Sequence, residues 1–215
     1  MIKKISLLFF LVSISTCLFS QEFYGGVLAG FNGSQVEGDL AVGYHKMGLV
    51  GGVWIQRNLS SDFYWGMELK YNQKGSRILA SKKNGYWKYV YRLNYIDLPV
   101  LVGYRILPYL SVFTGLSYGY LMNKSGYNNF GDDPSVYYDS ISNWELGMFA
   151  GFKVNFEHLV EKEWAKKFML ETRFQYSLLS IDKAHDLCTR YLSVGQFNNV
   201  ISTVLYYRIE WPETR

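Results

Sequence analysis

The sequence feature that most constrains the fold is an alternating pattern within residues 94–122, which read NYIDLPVLVGYRILPYLSVFTGLSYGYLM. Every second residue is aliphatic or aromatic over residues 96–104, and the alternation returns over residues 110–120, with Thr114 as the exception. A side-chain period of two is typical of a β-strand whose two faces meet different environments. Because only residues 107–109 separate the two segments, we predict an antiparallel hairpin.

Similar segments lie on both sides of this hairpin, three before it and three after it. They predict strands at about residues 22–31, 44–57, 63–73, 144–156, 168–179 and 197–211. We expect Asn32, Gly33 and Ser34 to break the first strand, and residues 158–167 to form one or two helical turns. Each strand reaches the roughly 9 to 11 residues that cross a bilayer when tilted.

The connections alternate in length, which is typical of one class of β protein. Those after the first, third, fifth and seventh strands are long and polar, whereas those after the second and fourth are short. Outer-membrane barrels combine short periplasmic turns with longer external loops. The sequence therefore predicts an all-β, eight-stranded, antiparallel up-and-down transmembrane β-barrel with both termini on the periplasmic side.

Composition agrees with a β-rich chain and excludes one class of partner. Aromatic residues make up 18% of the 215 residues, and the chain has only 4 prolines, which favours strands. The formal charge is +4, and removal of Lys3 and Lys4 would leave 20 basic against 18 acidic residues. Without a basic cluster in the sequence, we predict no nucleic-acid partner.

Residues 1–20 have the layout of a secretory signal peptide, so we expect residues 21–215 to form the barrel domain. Lys3 and Lys4 precede an apolar segment at residues 5–14 and a small-residue exit. Cys17 offers a rival interpretation, a lipidated cysteine. If Cys17 leaves with the signal peptide, Cys188 has no partner and is expected to pack as a small hydrophobic residue.

The volume of the side chains decides which face points outward. The apolar faces carry more large side chains than an eight-stranded barrel can enclose, so we expect them to face lipid. The opposite faces are rich in Gly and Ser and carry charges of both signs, which we expect to pair inside the lumen. The predicted lumen network comprises Glu68, Lys70, Asp97, Arg105, Glu145, Lys153, Glu171 and Arg173.

Aromatic residues near the strand ends suit the girdles that flank the apolar band of a membrane barrel. The predicted girdle residues are Tyr71, Tyr104, Tyr109, Trp144, Tyr206, Tyr207 and Trp211. Ordinary β-rich composition is the alternative explanation for these positions.

The sequence resembles the PorT-like outer-membrane β-barrel family of Bacteroidota. The likeness rests on YIDLPVLV at residues 95–102, GGVLAGFN at residues 25–32, GLSYGYLM at residues 115–122 and the Ser20-Gln21 exit. Pro99 within the first of these is expected at a bulge or a strained edge. The resemblance implies an outer-membrane location and suggests a role in type IX protein secretion. The chain departs from the family at residues 210–215, where EWPETR follows the last strand.

Motifs that carry chemistry are sparse. His45, His158 and His185 are far apart and form no metal-binding spacing, and Asp132, Asp133 and Asp139 lack the spacing of a calcium loop. We therefore predict no catalytic, cofactor or metal site.

Three functions stay open from the sequence. The first is a small non-enzymatic outer-membrane barrel that contacts lipid and whose loops bind envelope or secretion proteins. The second is a soluble or lipid-anchored periplasmic barrel that binds an apolar ligand. The third is a barrel enzyme that acts on membrane lipid.

Overall fold

The computed structural model describes residues 23–39, 41, 43–132, 141–182 and 195–209. The predicted signal peptide, Cys17, Cys188, His185 and the C-terminal segment 210–215 lie outside these ranges. The strands are β1 (Phe23–Glu37), β2 (Lys46–Asn58), β3 (Phe63–Ile78), β4 (Tyr89–Leu107), β5 (Leu110–Asn128), β6 (Gly131–Asp132), β7 (Trp144–Asn155), β8 (Phe168–Ser177) and β9 (Phe197–Ile209). Short 3₁₀ helices are Lys82–Asn84, Phe156–His158 and Glu163–Lys167. Among the described residues, no helix is long and apolar enough to cross a membrane.

Eight long strands form one closed antiparallel ring. Each pairs with the next long strand along the chain, and β1 pairs with β9 to complete the circle. The two-residue strand β6 pairs with the end of β5. This arrangement confirms the predicted eight-stranded up-and-down barrel. Closure gives every wall strand a paired neighbour on both sides, as a hydrocarbon environment requires.

Strands β1, β3, β4 and β5 run further than the sequence pattern indicated, at the end of the barrel that carries the long loops, whereas β7 and β8 end one or two residues earlier than predicted. The predicted break at residues 32–34 is wrong, because β1 continues to Glu37. Asn32 and Ser34 point into the barrel, where the Asn32 amide donates to Asn72 (2.6 Å) and the Ser34 hydroxyl donates to the Gly75 carbonyl (2.9 Å). Polar residues there have partners across the lumen, so they do not end the strand.

Burial alternates along most of the length of the strands and places the apolar faces outside. On β3, Leu69 is 50% exposed while its neighbours Glu68 and Lys70 are each 3% exposed. The outward residues include Val27, Val53, Leu98, Val100, Val102, Leu116, Met148, Phe152, Phe174 and Leu205. This band of exposed aliphatic and aromatic side chains is the surface that a lipid bilayer covers. It excludes the alternative of a soluble barrel with an apolar interior.

Pro99 interrupts hydrogen bonding without shifting the register. The β3–β4 ladder runs through Met67 opposite Val100 and resumes at Lys70 opposite Asp97, with no pairing between these two points. Since proline has no N–H to donate, a gap in the ladder is expected here. The register is the same on both sides of the gap, so the bulge expected from the sequence is absent from this ladder.

Aromatic pairs mark the end of the barrel that carries the termini. Ring centroids are 4.9 Å apart for Phe63 and Tyr104, and 5.3 Å apart for Phe168 and Tyr207. Tyr206 does not belong to this girdle, because it is 1% exposed and points into the lumen. Its neighbour Tyr207 faces outward, as the alternation of the strand requires.

Gly30 tests the closure between β1 and β9. A Cβ atom at Gly30 would lie 2.2 Å from the Thr203 carbonyl oxygen and 2.7 Å from the Val204 Cα, so Gly30→Ala must displace backbone. We expect the free energy of unfolding in urea to fall by about 1–3 kcal/mol. The control is Gly51→Ala, whose Cβ would come no nearer than 3.8 Å to the Leu28 carbonyl oxygen. Equal urea midpoints for the two variants would contradict the close approach of β9 to β1 at Gly30.

Candidate functional site: a charged lumen and an extracellular extension

Seven of the eight residues predicted for the lumen network point into the barrel. None of the seven is more than 4% exposed. They are Glu68, Lys70, Asp97, Glu145, Lys153, Glu171 and Arg173. The period-two alternation of β3, β4, β7 and β8 places each side chain inward. The lumen of this barrel is therefore lined by charge, and each charge needs a partner at this depth.

The first group of charges is centred on Arg173. Its Nη2 donates to Glu68 Oε1 at 2.6 Å, and its Nε donates to Glu171 Oε1 at 2.8 Å. Lys70 lies 3.3 Å from the second oxygen of Glu68, and Lys153 lies 3.2 Å from the second oxygen of Glu171. One guanidinium thus joins two carboxylates, and each carboxylate also contacts a lysine.

The second group is centred on Lys74. Its Nζ lies 3.1 Å from Asp97 Oδ2 and 3.0 Å from Glu145 Oε2, with neither side chain of these pairs more than 1% exposed. Asp97 also accepts from the Asn72 amide at 2.9 Å, and Glu145 accepts from Asn198 at 2.9 Å. The other oxygens have donors too, because Asp97 Oδ1 accepts from Lys74 at 3.2 Å and Glu145 Oε1 accepts from the Ser177 hydroxyl at 2.8 Å, as a buried ion pair requires.

The two groups balance in charge. The four cations Lys70, Lys74, Lys153 and Arg173 face the four anions Glu68, Asp97, Glu145 and Glu171. Lys70 lies directly opposite Asp97 in the β3–β4 register and links the groups. The network is neutral as a whole when every member is ionised.

Aromatic rings pack against the cations of the first group. The Lys153 ammonium lies 4.1 Å from the ring centroid of Tyr206, and the Arg173 guanidinium lies 4.2 Å from that of Phe149. The Tyr206 hydroxyl donates to Glu68 at 2.7 Å. Tyr206 is therefore a member of the lumen network, and its predicted place in a girdle is wrong.

Arg105 is the one predicted residue that stays apart from the network. It lies near the end of β4, where it donates to the Ser61 carbonyl (2.6 Å) and to the Asn58 side chain. A cavity of about 420 Å³ opens at this end of the barrel and is lined by Arg105 together with Trp54, Tyr64 and Lys153. Arg105 is too close to the barrel mouth to reach the buried carboxylates, so it contacts the turn between β2 and β3 instead.

Lys74 is the charged network member that sequence reasoning missed. The predicted third strand ended at Gln73, but β3 continues to Ile78 and carries Lys74 on its inner face. Residues 68, 70, 72 and 74 are Glu, Lys, Asn and Lys at a strict spacing of two. That spacing is visible in the sequence and could have extended the strand.

A hydrophobic cluster closes the lumen at the end that carries the long loops, which we assign to the extracellular side by the rule for loop lengths. Its buried members are Val36, Tyr91, Leu93, Tyr95, Leu121, Ile141 and Ile181. The loop after β1 packs beside it, with Ser76 donating to Asp39 and the Ala41 amide donating to Asp39 at 2.8 Å. Burial raises the pKa of Asp39, while these hydrogen bonds act to lower it. The lumen is thus capped by packed side chains above its charges.

Strands β3, β4 and β5 extend beyond this cap and carry a second candidate site, which we call the aromatic tip. It consists of Leu79, Tyr86, Trp87 and Phe130, with Phe130 88% exposed and Tyr86 59% exposed. The rings of Trp87 and Phe130 lie 6.0 Å apart. Exposed apolar side chains grouped in this way mark interaction sites.

The described residues contain no group of three His, Cys, Asp or Glu side chains positioned to hold a metal ion. Asp133 and Asp139 lie outside the described part of the chain.

Arg173→Met tests the energetic role of the first group of charges. The substitution leaves Glu68 and Glu171 buried without their shared guanidinium, so we expect unfolding to become easier by about 3–5 kcal/mol. The control is Lys166→Met, because the Lys166–Glu163 pair is solvent-exposed, with side chains 46% and 88% accessible. Such a pair contributes about 0–1 kcal/mol. Urea titration followed by the gel shift between folded and unfolded forms gives both values, and equal values would contradict a structural role for Arg173.

Comparison with solved structures gives matches to small outer-membrane barrels. Ail, the attachment invasion locus protein of Yersinia pestis, in complex with the heparin analogue sucrose octasulfate, is 15% identical, with a TM-score of 0.47. The match covers 87% of this chain and 99% of Ail. Neisserial surface protein A is 11% identical, with a TM-score of 0.49, and the match covers 88% of this chain and 97% of that protein. No curated protein matches the sequence.

The family comparison is decisive for location. Residues 19–183 match the model of the outer membrane protein beta-barrel domain, which covers most of the chain and includes both charge groups except Asn198 and Tyr206. The closed eight-stranded barrel with its apolar outer band and charged interior is the architecture expected of such a protein in the outer membrane. The chain belongs to the outer membrane protein beta-barrel domain family, and the protein is a small β-barrel of the outer membrane.

Proposed function

We propose that this protein is a sealed, non-enzymatic barrel whose aromatic tip binds another protein of the cell envelope. The role is accessory to protein secretion or to envelope assembly. The observation that carries the proposal is the aromatic tip, which combines exposed apolar side chains with loops that are hydrogen-bonded to one another.

Side-chain hydrogen bonds hold the tip in place. Asn84 accepts from the Ser81 amide (2.8 Å) and donates to the Leu79 carbonyl (2.8 Å). Asn129 bonds to the neighbouring loop twice, accepting from the Lys88 amide (2.7 Å) and donating to the Tyr86 carbonyl (3.0 Å). A binding surface that is ordered in advance loses less entropy when a partner docks.

Tyr86 also has a backbone conformation that side chains rarely adopt. Its φ is +61°, in the left-handed region, and its amide donates to the Ser81 carbonyl at 2.9 Å. Such strain is retained where the surrounding structure enforces it, and it is concentrated at functional positions. The Tyr86 side chain at this position is 59% exposed.

The resemblance to the PorT-like family supports the secretion role. Tyr95 and Asp97 of the YIDLPVLV segment both point into the lumen and contact Lys74, with the Tyr95 ring centroid 4.7 Å from its ammonium. The segment therefore supplies part of the charge network. We infer that membership of the PorT-like branch, and a Bacteroidota source, follow from the same residues.

Photo-crosslinking tests the role of the tip. A benzoylphenylalanine at Trp87 is expected to crosslink to an envelope protein in cells, whereas the same residue at Leu49, which faces lipid and is 65% exposed, is expected to crosslink to lipid. With benzoylphenylalanine placed at position 86 instead, the double variant Trp87→Ala/Phe130→Ala should form about tenfold less crosslinked protein, as expected for loss of aromatic anchors. The amount of folded protein in the outer membrane should be the same for this double variant as for the unaltered protein. An unchanged adduct would overturn the proposal.

Conductance across a planar bilayer tests the sealed lumen. Because eight strands enclose only enough space for side chains, the full-length protein should show no steady conductance. Lys74→Ala removes the centre of the second group and should produce intermittent conductance, whereas Lys82→Ala on the exposed tip should not. Steady channels from the unaltered protein would contradict a filled lumen.

The enzyme alternative requires a nucleophile and a base within hydrogen-bond reach at one rim. A lipase or acyltransferase activity of the purified protein that His45→Ala abolished would favour it over the proposed binding role.

A further inference from the structure

A second surface lies on the outer wall of the extension, below the aromatic tip. We call it the outer basic cluster, and it consists of Arg77 on β3, Lys88 and Arg92 at the start of β4, and Tyr127 on β5. Arg77, Val90 and Tyr127 form one row across the three strands, and Arg92 lies one row closer to the membrane. Residues on one face in adjacent rows are within reach of one another.

Tyr127 brings the cations together. The Lys88 ammonium lies 5.3 Å from its ring centroid, and the Arg92 guanidinium lies 5.4 Å from it. Beneath them Val90 is only 3% exposed, although it is on the outward face. The Nε of Arg77 is buried and has no hydrogen-bond partner among the described residues. The cluster therefore has a buried side chain beneath its cations and one N–H donor without an acceptor among the described residues.

None of the outward positions that β3, β4 and β5 contribute to the extension is acidic, and Asp132 of β6 lies opposite Tyr127 in the β5–β6 register. Above Tyr71, the outward positions of the three strands hold Gln73, Gly75, Arg77, Val90, Arg92, Asn94, Asn123, Ser125 and Tyr127. With three cations beside one acidic position, the cluster is a local excess of positive charge, in contrast to the balanced lumen network.

The height of the cluster indicates what it meets. Tyr71, Ile96 and Tyr120 form the row that ends the apolar band on these strands. Arg92 lies four residues beyond Ile96, which at about 3.3 Å per residue and a tilt of about 40° is roughly 10 Å above that row. Groups at this height on the outer wall adjoin the headgroups of the outer leaflet.

We propose that the outer basic cluster binds the phosphate groups of a glycolipid headgroup in the outer leaflet. Two guanidiniums and an ammonium on one face provide the charge-assisted donors that phosphate oxygens accept. The ring of Tyr127 orders two of these cations before the lipid arrives. This role is independent of the protein partner proposed for the aromatic tip, because the cluster faces sideways along the membrane.

Lipid A binding by the full-length protein in neutral detergent tests the proposal. The unaltered protein should bind bisphosphorylated lipid A about tenfold more tightly than dephosphorylated lipid A, and added salt should weaken the binding. Equal affinity for the two forms would overturn the proposal without any variant. Inorganic phosphate and polyglutamate serve as competitors of lipid A binding. If phosphate competed at the same concentration as lipid A, the site would bind a free anion, and if polyglutamate did so, the site would bind an acidic protein. Either result would overturn the proposal.

A variant pair locates the site. Arg77→Gln/Arg92→Gln should lose about tenfold in affinity for bisphosphorylated lipid A. Lys82→Gln/Lys83→Gln removes the same charge from the exposed 3₁₀ helix and should retain the affinity. The gel shift on boiling verifies that both variants are folded. If the two double variants bound bisphosphorylated lipid A with equal affinity, the outer basic cluster would not be the binding site. This result does not depend on whether the aromatic tip binds a protein.

Discussion

Closure of the sheet is the constraint on which the rest of the structure depends. A strand in hydrocarbon cannot leave a row of N–H and C=O groups unpaired, so β1 and β9 must meet along their length. Gly25 lies opposite Ile209 at one end of this seam, and Glu37 lies opposite Phe197 at the other. Once the ring has eight strands, its interior is narrow, and the inward side chains must fill it and satisfy one another.

The charges of the lumen follow from that closure. Apolar side chains are required outside, and the alternation of each strand leaves the inner face to small and polar residues. Arg173 and Lys74 each join two carboxylates, and the eight charges of the lumen network sum to zero. Removing one partner would strand a charge, whereas replacing a whole group by apolar residues could be nearly neutral. The outer basic cluster obeys a different rule, because its unbalanced charge lies where lipid headgroups can neutralise it.

The period of two made most of this architecture predictable. It placed Glu68, Glu171 and Arg173 on inner faces and Leu69 and Phe174 on outer ones, and in the structure the first three are buried and the last two exposed. It could not fix where the strands end, because polar residues such as Asn32 and Lys74 look alike in a loop and in a polar lumen. Tyr206 and Tyr207 show the same limit, since one of two adjacent tyrosines faces Glu68 and the other faces outward. The aromatic tip depends on bonds between loops that are distant in sequence, which no local pattern contains.

A nitroxide scan of residues 96–104 on β4, in lipid vesicles, tests the lipid-facing, filled barrel most directly. We predict that the even-numbered positions, which face outward, are accessible to oxygen dissolved in the bilayer and closed to a water-soluble nickel reagent. Positions 97, 99, 101 and 103 should be closed to both, because they face a packed lumen. Access of the nickel reagent to the odd-numbered positions would contradict a filled interior, and loss of the alternation would contradict the barrel itself.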